Sequence, residues 1–157
     1  MKAETCCFTG YRNAGKNGSA AIRAEIRKHV LEKLDQGFTT FLVGGAMGFD
    51  MLCAEVLLDL REKEGKNLRL VSVLPFPDWR ESWPREEYDR EERILKASDE
   101  IRYSAEEHSR NAYLDRDRSM VDESGACLAW CTRKAGGTAY TIRYAMKQGI
   151  SDIIHFS

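Results

Sequence analysis

Long apolar runs are missing from this sequence. No stretch approaches the ~18 consecutive apolar residues of a membrane-spanning helix, so no membrane association is expected. The opening residues, MKAETCCFTGYR, lack the apolar core of a secretory signal, which makes a cytoplasmic location the expectation. Charge of one sign is also missing. Lys and Arg number 24, Asp and Glu 25, for a net charge of −1 with no long like-charge run. That weighs against a protein that grips nucleic acid by bulk charge and leaves only a local basic groove as a route. The five cysteines (Cys6, Cys7, Cys53, Cys127 and Cys131) include no CxxC pair and no metal-type spacing with His29, His108 or His155. No metal site is therefore expected, and the cysteines read as buried free thiols of a reducing compartment. Proline is scarce, and all three prolines fall in one irregular span, PFPDWRESWP at 75–84.

What is present is an alternation. The 157 residues suit one domain, 1–157, with enough chain for a substantial core. Short β-rich runs at 5–9, 39–43, 68–74, 99–104, 126–131 and 152–156 alternate with helical patterns. Ile22, Ile26, Val30 and Leu34 recur at i+4 spacing behind Ser19, a candidate N-cap, and Gly37 follows the helix end. Helices are further expected over 49–64, 85–97, 110–123 and 138–148. The second is apolar almost throughout over 51–60, which predicts cover on more than one side. Strands joined by helical crossovers give an α/β fold: a Rossmann-like three-layer α/β/α arrangement on a mostly parallel sheet.

In such sheets ligands sit beyond the carboxyl ends of the strands. The loops expected there are Thr9-Gly10-Tyr11-Arg12, Gly44 to Asp50, Pro75 to Trp79, and Thr132 to Thr138. Two of them, Gly44-Gly45-Ala46-Met47-Gly48 and Gly136-Gly137-Thr138, are glycine turns that open into helices. Glycine allows close backbone approach, and a helix N-terminus offers N–H groups and partial positive charge to a phosphate. The first turn is neither a dinucleotide fingerprint nor a Walker A loop: Val43 stands at the first glycine position, and Phe49-Asp50 replaces the Lys-Ser/Thr pair. Gly10, Gly45, Gly137 and Thr138 are expected to line one pocket. Asp50 is read as a helix N-cap or as an acceptor for a ribose. Arg12 is a candidate anion ligand. Tyr113, Arg116 and Met120 share one helical face, and Trp79 and Trp83 offer rings that could stack on a base or cap a loop.

Taken together, CCFTGYR, GGAMGFDMLCAE, LPFPDW, RDRSMVDESGACLAWC and GGTAYTIRYAMKQGI resemble the YpsA-like family of the SLOG superfamily, which also holds the LOG phosphoribohydrolases and the DprA/Smf proteins. The resemblance covers nearly the whole chain. It implies a Rossmann-like fold and a pocket for a nucleotide or nucleotide derivative. It also implies ligand sensing linked to cell division or stress, and it allows a homodimer. Gly44, Gly45, Gly48 and Asp50 match the family's first loop, and Gly136, Gly137 and Thr138 its second. YLDRDRSM resembles the LOG stretch MxxRKxxM, which places Arg116 at the catalytic arginine. The LOG motif GGxGTxxE ends in a glutamate for glycosidic cleavage. Here Tyr140 and Thr141 follow the threonine, and no acid occurs from Thr138 to Ala145.

The resulting expectation is a protein that binds a nucleotide derivative, ADP-ribose-like, NAD-like or a nucleoside phosphate, without turnover and with no required cofactor. Its expected ligand residues are Thr9, Gly10, Arg12, Gly44, Gly45, Gly48, Asp50, Pro75, Trp79, Tyr113, Arg116, Gly136, Gly137 and Thr138. The alternatives are an N-glycosidase, in which Asp50, Asp117 or Asp122 replaces the absent glutamate beside Arg116, and a single-strand nucleic-acid module, which the charge balance disfavours.

Overall fold

Alternating apolar side chains divide the inner strands between two helical layers. The computed structural model describes residues 2–15, 18–131 and 136–156. After a short 3-10 turn at Lys2–Glu4, the elements run β1 (Thr5–Thr9), α1 (Ala20–Asp35), β2 (Thr40–Val43), α2 (Phe49–Lys63), β3 (Arg69–Leu74) and α3 (Arg85–Ala97). They continue with β4 (Glu100–Tyr103), α4 (Ala112–Asp122), β5 (Ala126–Trp130), α5 (Gly137–Lys147) and β6 (Asp152–Phe156). The strands form one sheet in the order β4-β3-β2-β1-β5-β6, and every pairing is parallel.

Cys6, Phe8, Phe41, Val43, Leu70 and Leu128 pack on one face with α1, α2 and α3. Cys7, Leu42, Val71, Val73 and Cys127 pack on the other with Met120 and Val121 of α4 and Ala145 of α5. This split is the period-two pattern of strands buried on both faces. Helix α2 lies between α1 and α3, and it buries nine residues from Phe49 to Leu60. Its apolar run has that cause: two neighbouring helices and the sheet cover it from three directions.

The expected α/β/α arrangement is present, with small differences at element ends. Helix α4 starts at Ala112 rather than at residue 110, and α5 starts one residue earlier, at Gly137. Ser19 stands at the N-cap of α1 but makes no side-chain cap there; its hydroxyl accepts from Arg23 Nε at 3.1 Å. Asp50 is not the N-cap of α2. Gly48 holds that position, and Asp50 sits inside the first turn, its carboxylate accepting from the Ala46 N–H at 3.2 Å. All five cysteines are buried and free.

The chain steps outward from β1 to β4, then returns across the sheet to β5 on the other side of β1. Where strand order reverses, adjacent connections leave to opposite faces and open a crevice at the carboxyl ends. In this sheet that point lies between β1 and β5.

Candidate functional site

A cavity of about 420 Å³ opens at this switch point. The end of β1 and its loop supply Thr9, Gly10, Arg12 and Asn13; α2 supplies Asp50, and α4 supplies Tyr113, Arg116 and Asp117. Gly137 and Thr138 close it from the first turn of α5. The fold thus brings β1, α2, α4 and α5 to one place from four distant parts of the sequence.

Arg116 organises the floor. The residue is only 5% exposed, and its guanidinium donates through Nη1 to the Gly44 carbonyl and through Nε to Asp117 Oδ1 at 2.7 Å. Asp117 Oδ2 lies 3.3 Å from the Thr141 hydroxyl, which is also 2.9 Å from the Gly137 carbonyl. A continuous polar chain therefore links the end of β2 to the start of α5. Arg12 differs from Arg116. It is exposed, it makes no ion pair among the described residues, and its guanidinium lies 5.3 Å over the Tyr113 ring. Phe76 meets the Tyr113 ring edge-on at 5.8 Å, which fixes the platform.

Burial lifts Asp50 from its ordinary 3.8 to about 6; Arg116 opposes the shift and the negative Asp117 adds to it. Glu91 on α3 is displaced further, from 4.5 to about 8. Burial dominates, Asp50 adds repulsion, and Arg80 opposes. Its Oε2 is buried without a hydrogen-bond partner, beneath the Gly45 loop. The sequence signal for Glu91 was weak: it sits three residues before Ile94, on the one buried stripe of a helix crowded with charge.

The two glycine turns have different reasons for their glycines. A Cβ on Gly44 would lie 2.8 Å from Asp50 Oδ2 and 3.0 Å from Arg116 Cζ. One on Gly45 would collide with Leu74 and come within 3.3 Å of Glu91 Oε2. One on Gly48, where φ is +80°, would run into the Tyr11 and Arg12 backbone. The protein's own packing thus fills the space around the first turn. Gly44, Gly45 and Gly48 do not line the cavity; Ala46 is the residue of that turn that does. The expectation that Gly45 would share the pocket wall with Gly10, Gly137 and Thr138 is corrected on that ground. A Cβ on Gly137 would instead meet nothing within 4 Å.

The other expected residues divide as follows. Gly136 is exposed at the N-cap of α5, and Pro75 is buried just after β3; neither is on the cavity wall. Trp79 is buried, donates from Nε1 to the Gly45 carbonyl at 2.8 Å, and lines a second, smaller recess. Asp122, the third acid proposed for catalysis, stands at the exposed end of α4, where it accepts from the Tyr144 hydroxyl at 2.8 Å. It is not on the cavity wall, whereas Asp50 and Asp117 are. Leu114, Asn13 and Ala46 line the cavity and carry no sequence pattern that marks them. The rest of the second loop, 132–135, lies outside the described residues.

A six-stranded parallel sheet with helices on both faces and a polar cleft at its switch point defines a Rossmann-like fold. Comparison with known families makes this specific. The YpsA model, described as the YspA SLOG family, matches residues 6–153, and the chain belongs to that family. Among its relatives, a UPF0398 protein of Brevibacillus brevis is 24% identical over 142 residues, covering 88% of this chain and 75% of that protein. The UPF0398 protein YpsA of Bacillus subtilis is 25% identical over 137 residues, covering 83% and 74%. Among solved structures, DNA processing protein A of Helicobacter pylori superposes with a TM-score of 0.69 at 17% identity, covering 98% of this chain and 65% of that one. The Streptococcus pneumoniae protein of the same name gives 0.68 at 16%, covering 98% and 50%. The chain thus spans less than two thirds of either structural neighbour, and the likeness is one of fold.

No described helix is long and apolar enough to cross a membrane. No group of three or more His, Cys, Asp or Glu suited to a metal ion occurs among the described residues.

Proposed function

We propose that the protein binds a nucleotide-derived ligand, a nucleoside phosphate or an ADP-ribose-like or NAD-like molecule, in the β1–β5 cleft and holds it without turnover. One observation carries this reading. The first turn of α5, where a Cβ on Gly137 would meet no described atom within 4 Å, faces the same cavity as the exposed Arg12, which makes no ion pair among the described residues. A helix N-terminus and a free guanidinium converging on one cavity favour a phosphate. Asp50 and Asp117, on the wall of the same cavity, suit the hydroxyls of a ribose. The expected ligand residues on this wall are Thr9, Gly10, Arg12, Asp50, Tyr113, Arg116, Gly137 and Thr138.

The test is mass spectrometry of protein purified under native conditions, followed by melting curves with the molecule that is found. A nucleotide at ~100 times its dissociation constant adds roughly 2.7 kcal/mol to stability. Protein that carries no nucleotide and shows no melting shift with AMP, ADP-ribose or NAD ends the proposal.

A second reading has its own support. Asp50, raised to about 6 beside Asp117 in the same cavity, is a carboxyl that gains and loses its proton closer to neutral pH than an ordinary aspartate. Such a pair suits acid-assisted cleavage of an N-glycosidic bond. Free base released from AMP, GMP, CMP or ADP-ribose would establish that reading. Single-stranded DNA enters as a third ligand class, because the Helicobacter pylori neighbour is described by a single-stranded DNA binding mode. A net charge of −1 does not set it aside, since a local groove suffices. An oligonucleotide belongs in the same melting series.

A further inference from the structure

The cleft has a second compartment. A recess of about 210 Å³ adjoins the first and shares Arg12, Ala46, Tyr113 and Arg116 with it. The two compartments have opposite chemistry. The larger holds both carboxylates and the start of α5. The smaller holds Trp79, Trp83, Pro84 and Met47, with Ser82 at its edge, and no acidic residue.

The walls of the smaller recess are held in place from behind. Trp79 is tied through Nε1 to the Gly45 carbonyl, and Trp83 meets it edge-on at 6.1 Å. The Arg80 guanidinium lies between the Trp79 and Tyr88 rings, 5.3 and 3.9 Å from their centroids. It also donates to the Tyr88 carbonyl at 2.9 Å and to Glu92 at 2.5 Å. Trp83 is only half-buried, so part of its ring remains available. Rings held this firmly lose little entropy when another ring stacks on them.

From this arrangement we infer that the Trp79–Trp83 recess is the subsite for an aromatic base. Arg12 and Arg116, on the shared wall, form a cationic neck, and the sugar phosphate lies beyond it in the larger compartment. The inference rests on the nucleotide reading and deepens it: the ligand carries a heterocycle at one end and a phosphorylated sugar at the other. A sugar phosphate alone fills half of the site.

The test compares AMP with ribose 5-phosphate by titration calorimetry, with tryptophan fluorescence recorded in parallel. Wild-type protein is expected to bind AMP at least tenfold more tightly than ribose 5-phosphate, and only AMP should quench the tryptophan signal. Trp83→Ala should remove the tenfold advantage and leave ribose 5-phosphate binding unchanged. Ser82→Trp should do the same by crowding the recess from its exposed edge, and it does not touch the core if Trp83→Ala proves unstable. Trp83→Phe should restore most of the advantage, because a ring remains. Equal binding of the two probes, or an AMP preference that survives both Trp83→Ala and Ser82→Trp, overturns the base subsite while leaving the phosphate reading intact. Failure of both probes to bind wild-type protein removes the reading on which the subsite rests.

Discussion

The Arg116 guanidinium, on α4, donates to the carbonyl of Gly44, at the end of β2. This bond joins a helix to a strand end 72 residues away in the sequence and fixes the glycine turn beneath the cleft. It gives Arg116, which the sequence marks as a candidate ligand residue, a structural task in this chain. Two of its donors are committed to Gly44 and Asp117, whereas Arg12 has a guanidinium to spare.

Arg116→Ala is therefore expected to act first on stability. It leaves Asp50 and Asp117 without their buried counter-charge and Gly44 without its donor. Breaking a buried pair in this way costs about 3–5 kcal/mol. Denaturant unfolding at pH 7 measures it. A loss under about 1 kcal/mol would show that the arginine does not hold the turn.

Arg12→Ala is expected to do the reverse. Its side chain is exposed and supports no ion pair among the described residues, so stability should change little. Nucleotide affinity should fall by about 1.5–3 kcal/mol, the range for a hydrogen bond to a charged group. Calorimetry on the two arginine variants side by side separates the roles. Unaltered affinity in Arg12→Ala would take the neck out of the account.

The glycines supply a sharper contrast. Gly48→Ala puts a Cβ into the backbone of Tyr11 and Arg12 at a φ of +80°, so the loop must move. A loss of at least about 2–3 kcal/mol is expected from combined strain and overpacking. Gly137→Ala faces open space and should unfold within about 1 kcal/mol of wild type. Thermal melts of both test whether packing explains the first turn and not the second.

Glu91 sets a pH dependence. Its folded value of about 8 lies above its ordinary 4.5, so between these values the folded state keeps a proton that the unfolded state has lost. Stability then falls as pH rises through this window, by at most about 1.4 kcal/mol per pH unit from this group. Asp50 contributes with the same sign between 3.8 and about 6. Glu91→Gln keeps the shape without the titration. Urea unfolding from pH 6 to 8 should show a flatter slope in the variant than in wild type; identical slopes would place the proton elsewhere.

Much of the scaffold was legible because the patterns are strong. Strands buried on both faces read as continuous apolar runs, and Gly37 and Gly149 mark the ends of α1 and α5. The neighbourhood of Arg12, Asp50 and Thr138 followed from the rule that loops at strand carboxyl ends converge, whereas Tyr113 and Arg116 were marked by a shared helical face. The reason for each glycine was not legible. Gly45 and Gly137 look alike in sequence, yet one is packed against Leu74 and the other faces open space. Only tertiary contacts distinguish them. Glu91 was hidden for the same reason: among the acids of α3, its burial depends on the Gly45 turn arriving from a different part of the chain.

The central claim is that a nucleotide sits in front of α5 in the β1–β5 cleft. Its most direct test is calorimetric titration of wild-type protein and Gly137→Val with the nucleotide recovered from native purification. A Cβ at this position meets no described atom within 4 Å, and the branched side chain takes up the space assigned to the phosphate. Saturable one-site binding to wild type, weakened at least tenfold in a Gly137→Val protein that melts within a few degrees of wild type, is the predicted result. Equal affinity in the two proteins would contradict the account.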